Sequence, residues 1–498
     1  MGKPKSGLLT ENMIGLWTDY YEDTMGKADL DHNENKIITE NYFFRKVPQG
    51  SYILTCGLEQ VIHGITEGFP KTFRNEENLK WLKESSGKDF DDKFIDYLRN
   101  FEFKGDVYAI IEGTPVFPNE PVINITGPSI DVQLFESYLL TNCNSQSLIA
   151  TKSSRICNAA HGKTTVSGLE SRFGERTVID FGARRQQGRD PVLERAAVVG
   201  GAVGSSLVAA GRLFGIPYIG TMAHKFVQQR QAPDLIFQES ELKAFREYAE
   251  SFPHNTILLV DTYDTIQGVE NAIIVGKELE EKGYQLKGIR LDSGDLLDLS
   301  KKSRKMLDSA GLDYTKIYAS NNLDEFTIED LLSRGAPLDG FGVGTRMITG
   351  ANYNPFTKKG GSPALGGVYK LVEIDHGYGM IPSMKINKDE LEKRTLPDKK
   401  QVYRIYDKDG FYKKDIITRW DEKIKNARKL LIPIVLEGKI VYDFPNVMEI
   451  RRYSLNELSK LPAQYKKLEC TKYPVELSTK LNELTNSLIY KFTGGGKK

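Results

Sequence analysis

Cysteine is scarce in this chain. The four cysteines among 498 residues, at positions 56, 143, 157 and 470, form no Cys-x-x-Cys pair. That spacing excludes a cysteine-based zinc motif and a disulfide scaffold, and it fits a reducing compartment. Net charge is small as well: 68 basic against 67 acidic side chains leave +1. No global field draws the protein to nucleic acid or to an anionic membrane, so any anionic ligand must be held by local groups. Long apolar runs are also missing. The most apolar stretch, residues 196–210, contains three glycines and two serines and lies between Arg195 and Arg212. It is shorter than the ~20 apolar residues a membrane span needs. The opening residues, MGKPKSGLLTENM, lack the apolar segment of a secretory signal. The expectation is a cytoplasmic protein with neither membrane nor nucleic acid as partner, in which the sequon Asn124-Ile125-Thr126 has no use.

What is present is ordinary globular composition, 40% hydrophobic and 27% charged, with length for about three domains. From about residue 177 to 345 short β-branched runs recur at helix-length intervals. They are Thr177-Val178-Ile179, Pro217-Tyr218-Ile219, Thr256 to Val260, Leu286 to Ile289, Lys316 to Ala319 and Gly340 to Val343. The segments between them carry helix signals: Asp264 before Gln267, Ser293 before Leu296, and Asn322 with Glu325 read as starts. Gly311 and Gly335 read as stops.

Strands alternating with helices imply a parallel sheet with right-handed crossovers. The fold expected is α/β: an irregular parallel α/β barrel, with Val368 to Leu371 available as a seventh strand. A doubly wound open sheet is the competing architecture. The flanks are richer in aromatic strand-like pieces, such as Tyr42-Phe43-Phe44, Val107 to Ile111 and Gln401 to Tyr406. They suggest a second, sheet-containing α+β domain formed from both chain ends. The resulting division is 1–135 for the first part of that sandwich domain, 136–365 for the barrel, and 366–498 for the return to the sandwich plus a C-terminal extension. Within that extension, residues 462–492 read as a loop and an amphipathic helix, and residues 494–498 as a disordered tail.

The residues that follow the strands carry the chemistry, because in a parallel barrel they converge on one face. Strand by strand they are Asp180-Phe181-Gly182-Ala183-Arg184-Arg185; Thr221 and His224; Asp261, Thr262 and Asp264; Arg290, Asp292, Ser293 and Asp295; Ser320-Asn321-Asn322; and Gly344-Thr345-Arg346. His224 is one of only six histidines, and of those it alone follows a strand of the series. Gly342-Val343-Gly344-Thr345 is a turn whose glycines would let backbone N–H groups approach a phosphate. Arg184-Arg185 suits bidentate capture of a carboxylate or phosphate, or equally a surface salt bridge. Asp292 lies inside a turn and suits ribose hydroxyls or Mg²⁺, whereas Asp264 and Asp295 read equally as helix caps. The set suits an anionic, hydroxylated, phosphate-bearing ligand.

Taken in order, these segments resemble the nicotinate phosphoribosyltransferases, a type II phosphoribosyltransferase family. Further matches are Thr18-Asp19-Tyr20-Tyr21 with Thr24-Met25, Phe43-Phe44-Arg45-Lys46, Glu112-Gly113-Thr114, Gln146 to Lys152, and Pro363 to Leu371. The resemblance implies that nicotinate and phosphoribosyl pyrophosphate give nicotinate mononucleotide and pyrophosphate in NAD biosynthesis, with Mg²⁺ as cofactor and ATP as co-substrate. It implies that His224 is phosphorylated, that Tyr21 and Phe181 sandwich the pyridine, and that Arg184 pairs with the acceptor carboxylate or the pyrophosphate. Arg185, Thr221, Arg290, Ser320 and Asn321 are implied as further substrate contacts. Asp292 contacts ribose directly or through Mg²⁺, and the turn of Gly342, Gly344 and Thr345 cradles the 5-phosphate. The family's usual homodimer, with sites shared between chains, would make Tyr21 the contribution of the partner.

Two residues depart from the family pattern. Asp180 stands where Glu is expected, so that its contacts are expected to run through water, and Leu207 stands where Asn is common. A related enzyme acting on nicotinamide or quinolinate, and a catalytically inert nucleotide-binding barrel, are the alternatives. The arginine pair favours an anionic acceptor over the amide.

Overall fold

The computed structural model describes residues 9–47, 50–87, 89–162, 175–351, 353–354, 358–360, 364–387 and 393–492. Pro363, which begins one of the motifs above, and the tail 494–498 lie outside them. The structure is mixed α/β. Five parallel strands form one sheet, in the order Thr177–Asp180, Gly340–Val343, Lys316–Ser320, Gly288–Leu291, Ile257–Leu259. Beyond its first edge, Asp180 bridges Ser205 and Ser205 bridges Tyr218, both in parallel sense. The run Pro217-Tyr218-Ile219 thus contributes a single bridge residue instead of a full strand. Pro217 lacks an N–H to donate to a ladder, which limits pairing there.

Helices Thr265–Glu281, Leu296–Ser309 and Glu325–Ser333 join successive parallel strands. Asp264 caps the first through the Gln267 N–H (2.9 Å), and the left-handed Gly311 and Gly335 follow the second and third. Of the two residues that read as starts for the second helix, Asp295 caps Leu296–Ser309 and Ser293 does not; for the third, Asp324, not Asn322, caps Glu325–Ser333. In each case a carboxylate two residues further on accepts from free N–H groups of the first turn. That leaves Ser293 and Asn322 in the loops above the sheet.

Val368 to Leu371 belongs to another layer. The strand Gly367–Asp375 pairs antiparallel with Ile37–Phe44 in a seven-stranded sheet that also contains Met380–Pro382, Pro121–Pro128, Asp106–Ala109, Ile432–Leu436 and Lys439–Ile440. Strands from both ends of the chain therefore share one sheet. Behind it lies an aromatic cluster of Phe69, Phe73, Phe101, Phe103 and Phe135, several in edge-to-face contact, the geometry that ring quadrupoles favour.

A 25-residue helix, Glu136–Ala160, connects the two cores. Leu139, Cys143 and Leu148 pack into the aromatic cluster, while Ile149, Ile156 and Cys157 pack against the parallel sheet with Val178, Ile289 and Ile317. From Gln146 onward every residue of this helix is buried, the pattern of a helix enclosed on all sides. The terminal segment contains the strand Val475–Leu477 before the helix Thr479–Phe492. Among the described residues, no helix is long and apolar enough to cross a membrane.

Candidate functional site

The carboxyl ends of the parallel strands open into a cleft of about 500 Å³. Such ends are where α/β sheets bind ligands. The cleft gathers Phe181, Arg184, Arg185, Thr221, His224, Arg290, Asp292, Ser320, Asn321, Gly342, Gly344 and Thr345. Every residue that the resemblance implies as a catalytic group or substrate contact is there except Tyr21. Tyr21 stands on the helix Tyr20–His32, 46% exposed, beside Glu136, Glu22 and Asp19, where burial and these acids push its phenol well above the ordinary range.

His224 begins a short helix after the loop from Gly220. Its Nδ1 lies 3.2 Å from the Thr262 hydroxyl, and its Nε2 faces Asp292 Oδ2 at 3.7 Å. With Nδ1–H donating to Thr262, the Nε2 lone pair points into the cleft. Asp292 is held from two sides. The Ser320 hydroxyl donates to its Oδ1, and its backbone N–H donates to Asp261 Oδ2 (2.8 Å). Asp261, only 9% exposed, also accepts from Ser293 Oγ (2.6 Å). Its second oxygen, Oδ1, is buried without a hydrogen-bond partner.

Arg290 forms the floor. It donates to Thr221 Oγ1 (2.6 Å) and to the Met222 carbonyl (3.1 Å), tying the loop before His224 to the strand Gly288–Leu291. Burial holds its guanidinium below the usual range, although Asp292 and Asp261 favour its charge. Arg184 and Arg185 are exposed at the rim on a 3₁₀ turn that Arg185 N–H closes onto the Gly182 carbonyl (2.7 Å).

Phe181 lies over Gly342, where a Cβ would overlap Cδ2 and Cε2 of its ring. Glycine is therefore required for the ring to sit there. Asp180 anchors this turn directly: Oδ1 accepts from Gly182 N–H and Oδ2 from Ser205 Oγ, each at 2.8 Å. Bonds expected to run through water are direct, because the shorter side chain sits at the sheet edge beside both donors. Burial pushes the Asp180 carboxyl up to about 6, against the pull of those two bonds. Leu207, the other departure, donates its N–H to Ser205 Oγ (3.1 Å) and precedes the helix Val208–Phe214. Asn321 and Asn322 turn the loop after Lys316–Ser320 with φ of 81° and 47°, a region asparagine tolerates better than most residues.

Thr262 and Asp261 hold His224 and Asp292 in place, contacts the sequence left open. The signal was their place at a strand end one turn before a capped helix. Their partners became visible only in three dimensions. Among the described residues, no group of three or more His, Cys, Asp or Glu side chains is arranged to hold a metal by itself.

Family models match along most of the chain. The model of the nicotinate phosphoribosyltransferase N-terminal domain matches residues 16–144, that of the nicotinate phosphoribosyltransferase family 177–405, and that of the C-terminal domain 423–485. A nicotinate phosphoribosyltransferase of Mycobacterium tuberculosis, pncB2, is 36% identical over 481 residues, 95% of this chain and 93% of its own. That of Bacillus subtilis is 36% identical over 499 aligned residues, 94% of each chain. The crystal structure of human nicotinic acid phosphoribosyltransferase superposes with a TM-score of 0.77 at 27% identity, covering 95% of this chain and 99% of the human one. The ordered motifs, the cleft at the strand ends and these full-length matches agree: the chain belongs to the nicotinate phosphoribosyltransferase family.

Proposed function

We propose that this protein transfers the phosphoribosyl group of phosphoribosyl pyrophosphate to nicotinate, giving nicotinate mononucleotide and pyrophosphate for NAD biosynthesis in the cytoplasm, with ATP hydrolysed at His224. The observation that carries this reading is the meeting of His224, Asp292, Arg290 and the Gly342–Thr345 turn in one cleft, supported by the names of relatives that align over nearly the whole chain.

The turn Gly342-Val343-Gly344-Thr345 takes the 5-phosphate. Arg184 and Arg185 serve the acceptor carboxylate and the pyrophosphate between them. Asp292 and Ser320 reach the ribose hydroxyls, and Asn321 and Thr221 line the path of the diphosphate. As the C1–O bond to pyrophosphate breaks, charge builds on the leaving oxygens and on C1. The arginines stabilise the former, while the site holds the pyridine nitrogen in line to form the new C–N bond. Phe181 covers one face of the pyridine.

Mg²⁺ fits the donor set: Ser320 occupies Asp292 Oδ1, leaving Oδ2 toward the cleft. An ion that takes one or two protein carboxylates plus substrate oxygens and water needs no more than this. When bound, it neutralises phosphate charge.

At His224, Nε2 attacks the γ-phosphorus of ATP. The P–N bond forms as the P–O bond to ADP breaks, a step open to a neutral imidazole near neutral pH. The phosphoryl group adds negative charge beside Asp292 and Thr262 and biases the loops around them.

We read the parallel strands, with the bridges at Ser205 and Tyr218, as the wall of an irregular barrel. The bonds from Arg290 to residues 221–222 span the gap toward Ile257–Leu259. The antiparallel sheet belongs to the second domain in the division 1–135, 136–365 and 366–498. Tyr21, outside its own cleft and ringed by acids, serves the arginine-rich cleft of a second copy in a homodimer.

The test is a product assay with phosphoribosyl pyrophosphate, Mg²⁺ and nicotinate, nicotinamide or quinolinate in turn. Nicotinate mononucleotide as the dominant product supports the reading. Preference for another acceptor overturns the substrate, and no product from any acceptor leaves a nucleotide-binding protein.

A further inference from the structure

Next to exposed Tyr21 on the helix Tyr20–His32, Glu22 is completely buried. Its Oε1 accepts from the Ser137 N–H (3.1 Å) and lies 2.6 Å from the Ser137 hydroxyl. Its Oε2 is buried with no hydrogen-bond partner. The same hydroxyl lies 2.7 Å from Asp19 Oδ2. A serine hydroxyl has one proton to give, so two ionised carboxylates cannot both be satisfied by it. A proton on Glu22 resolves the conflict: Ser137 donates to Asp19, and the Glu22 carboxyl donates to Ser137.

The surroundings favour that proton. Asp19 faces Glu22 from the cap of its helix, and Glu136 from the helix Glu136–Ala160. From the strand Ile37–Phe44 comes Glu40, whose Oε2 is also buried and unpartnered. Tyr369 and Lys370 complete the ring from the strand Gly367–Asp375. The Lys370 ammonium is committed to Glu136 Oε1 at 2.9 Å. An ionised Glu22 there would be a buried charge among like charges, a costly arrangement.

We propose that Glu22 is a positioning residue for Tyr21: as a protonated carboxyl bonded to Ser137, it seats the helix Tyr20–His32 on the start of Glu136–Ala160 and so fixes the ring on which the acceptor stacks. This rests on the reading of Tyr21 as the stacking aromatic of a shared site. Burial also pushes Glu22 up to about 7, Asp23 on the same helix to about 7, and Glu40 to about 8. A carboxyl raised above its exposed value of about 4.3 supports docking fully below that value and loses its contribution as pH rises to about 7. The seat therefore loosens from acid to neutral pH, with Asp23 acting in the same window and Glu40 extending it to about 8.

The experiment uses the full-length protein and two readouts: steady-state kinetics for nicotinate, and amide hydrogen exchange across residues 20–32. Glu22→Ala is expected to raise the nicotinate KM by about tenfold or more while kcat stays within about threefold, and to speed exchange in that helix. Glu22→Gln, neutral and able to bond Ser137, is expected to restore both, and to flatten the rise in exchange between about pH 5 and 8. An Asp23→Asn control removes the share due to Asp23. Unchanged exchange in Glu22→Ala, or Glu22→Gln as loose as Glu22→Ala, overturns the proposal. If Glu22→Ala does not fold, Ser137→Ala, which removes the shared hydroxyl, must loosen the same helix or the proposal fails. Tyr21→Ala separates the two readings: an unchanged nicotinate KM there rejects the stacking role, while exchange still decides the seat.

Discussion

His224 and Asp292 face each other across the cleft, with Nε2 3.7 Å from Oδ2, and each is held from behind by a hydroxyl. Thr262 meets the far nitrogen of the imidazole at 3.2 Å, and Ser320 donates to the far oxygen of the carboxylate. The proposed nucleophile and the proposed ribose contact are thus held by groups from different strand ends, a division that separate substitutions can expose.

Thr262→Val keeps the shape and removes the hydroxyl that holds Nδ1. The tautomer with a free Nε2 is then no longer selected, and ATP-stimulated kcat should fall by about tenfold or more, the size of effect that losing such an orienting partner has at a metal-bound histidine. Turnover without ATP should change little. Rates measured with and without ATP check this.

Asp261→Ala removes the acceptor for the Asp292 N–H and for Ser293 Oγ. The exposed Ser293 hydroxyl can turn to water, but the half-buried Asp292 N–H loses its partner, at a cost of about 1 kcal/mol. The melting temperature should drop, and kcat/KM for phosphoribosyl pyrophosphate should fall by at least about tenfold as the turn around Asp292 relaxes. Calorimetry and initial rates measure the two effects separately.

Gly342→Ala places a methyl where the Phe181 ring lies. Overpacking of this kind costs about 1–3 kcal/mol. The ring must move, so the nicotinate KM should rise more than the KM for phosphoribosyl pyrophosphate.

Asp180 supplies a pH dependence of known sign. Burial raises its carboxyl to about 6 in the folded chain, against about 3.9 when unfolded. The unfolded chain therefore releases its proton first. The Asp180 contribution to stability is complete below about pH 4 and is lost as pH rises to about 6. Asp180→Asn should flatten the fall in stability across that window, read by urea unfolding at both ends.

Much of this site was readable because a parallel sheet gathers strand ends on one face. Once the strands at Thr177, Lys316 and Gly340 are placed, Phe181, Ser320, Asn321 and Gly344 must converge. What escaped depended on contacts that sequence spacing does not encode. Ser293 has the composition of a cap, yet its hydroxyl bonds Asp261, from a strand end 32 positions earlier, and Asp295 takes over the helix start. Val368 to Leu371 looks like one more barrel strand, but its register against Ile37–Phe44 places it in the antiparallel sheet. Composition does not distinguish the two, because both sheets bury β-branched and aromatic residues. The helix Glu136–Ala160 lacks an apolar stripe because it is buried on all sides past Gln146, so periodicity gave no sign of it.

Nicotinate mononucleotide synthesis coupled to ATP at His224 underlies the proposed function. Its most direct test compares initial rates of the wild type and His224→Ala with nicotinate, phosphoribosyl pyrophosphate and Mg²⁺, with and without ATP. The wild type is expected to make nicotinate mononucleotide faster with ATP, and His224→Ala to run at the ATP-free rate under both conditions. A His224→Ala protein that keeps the full ATP stimulation would contradict it.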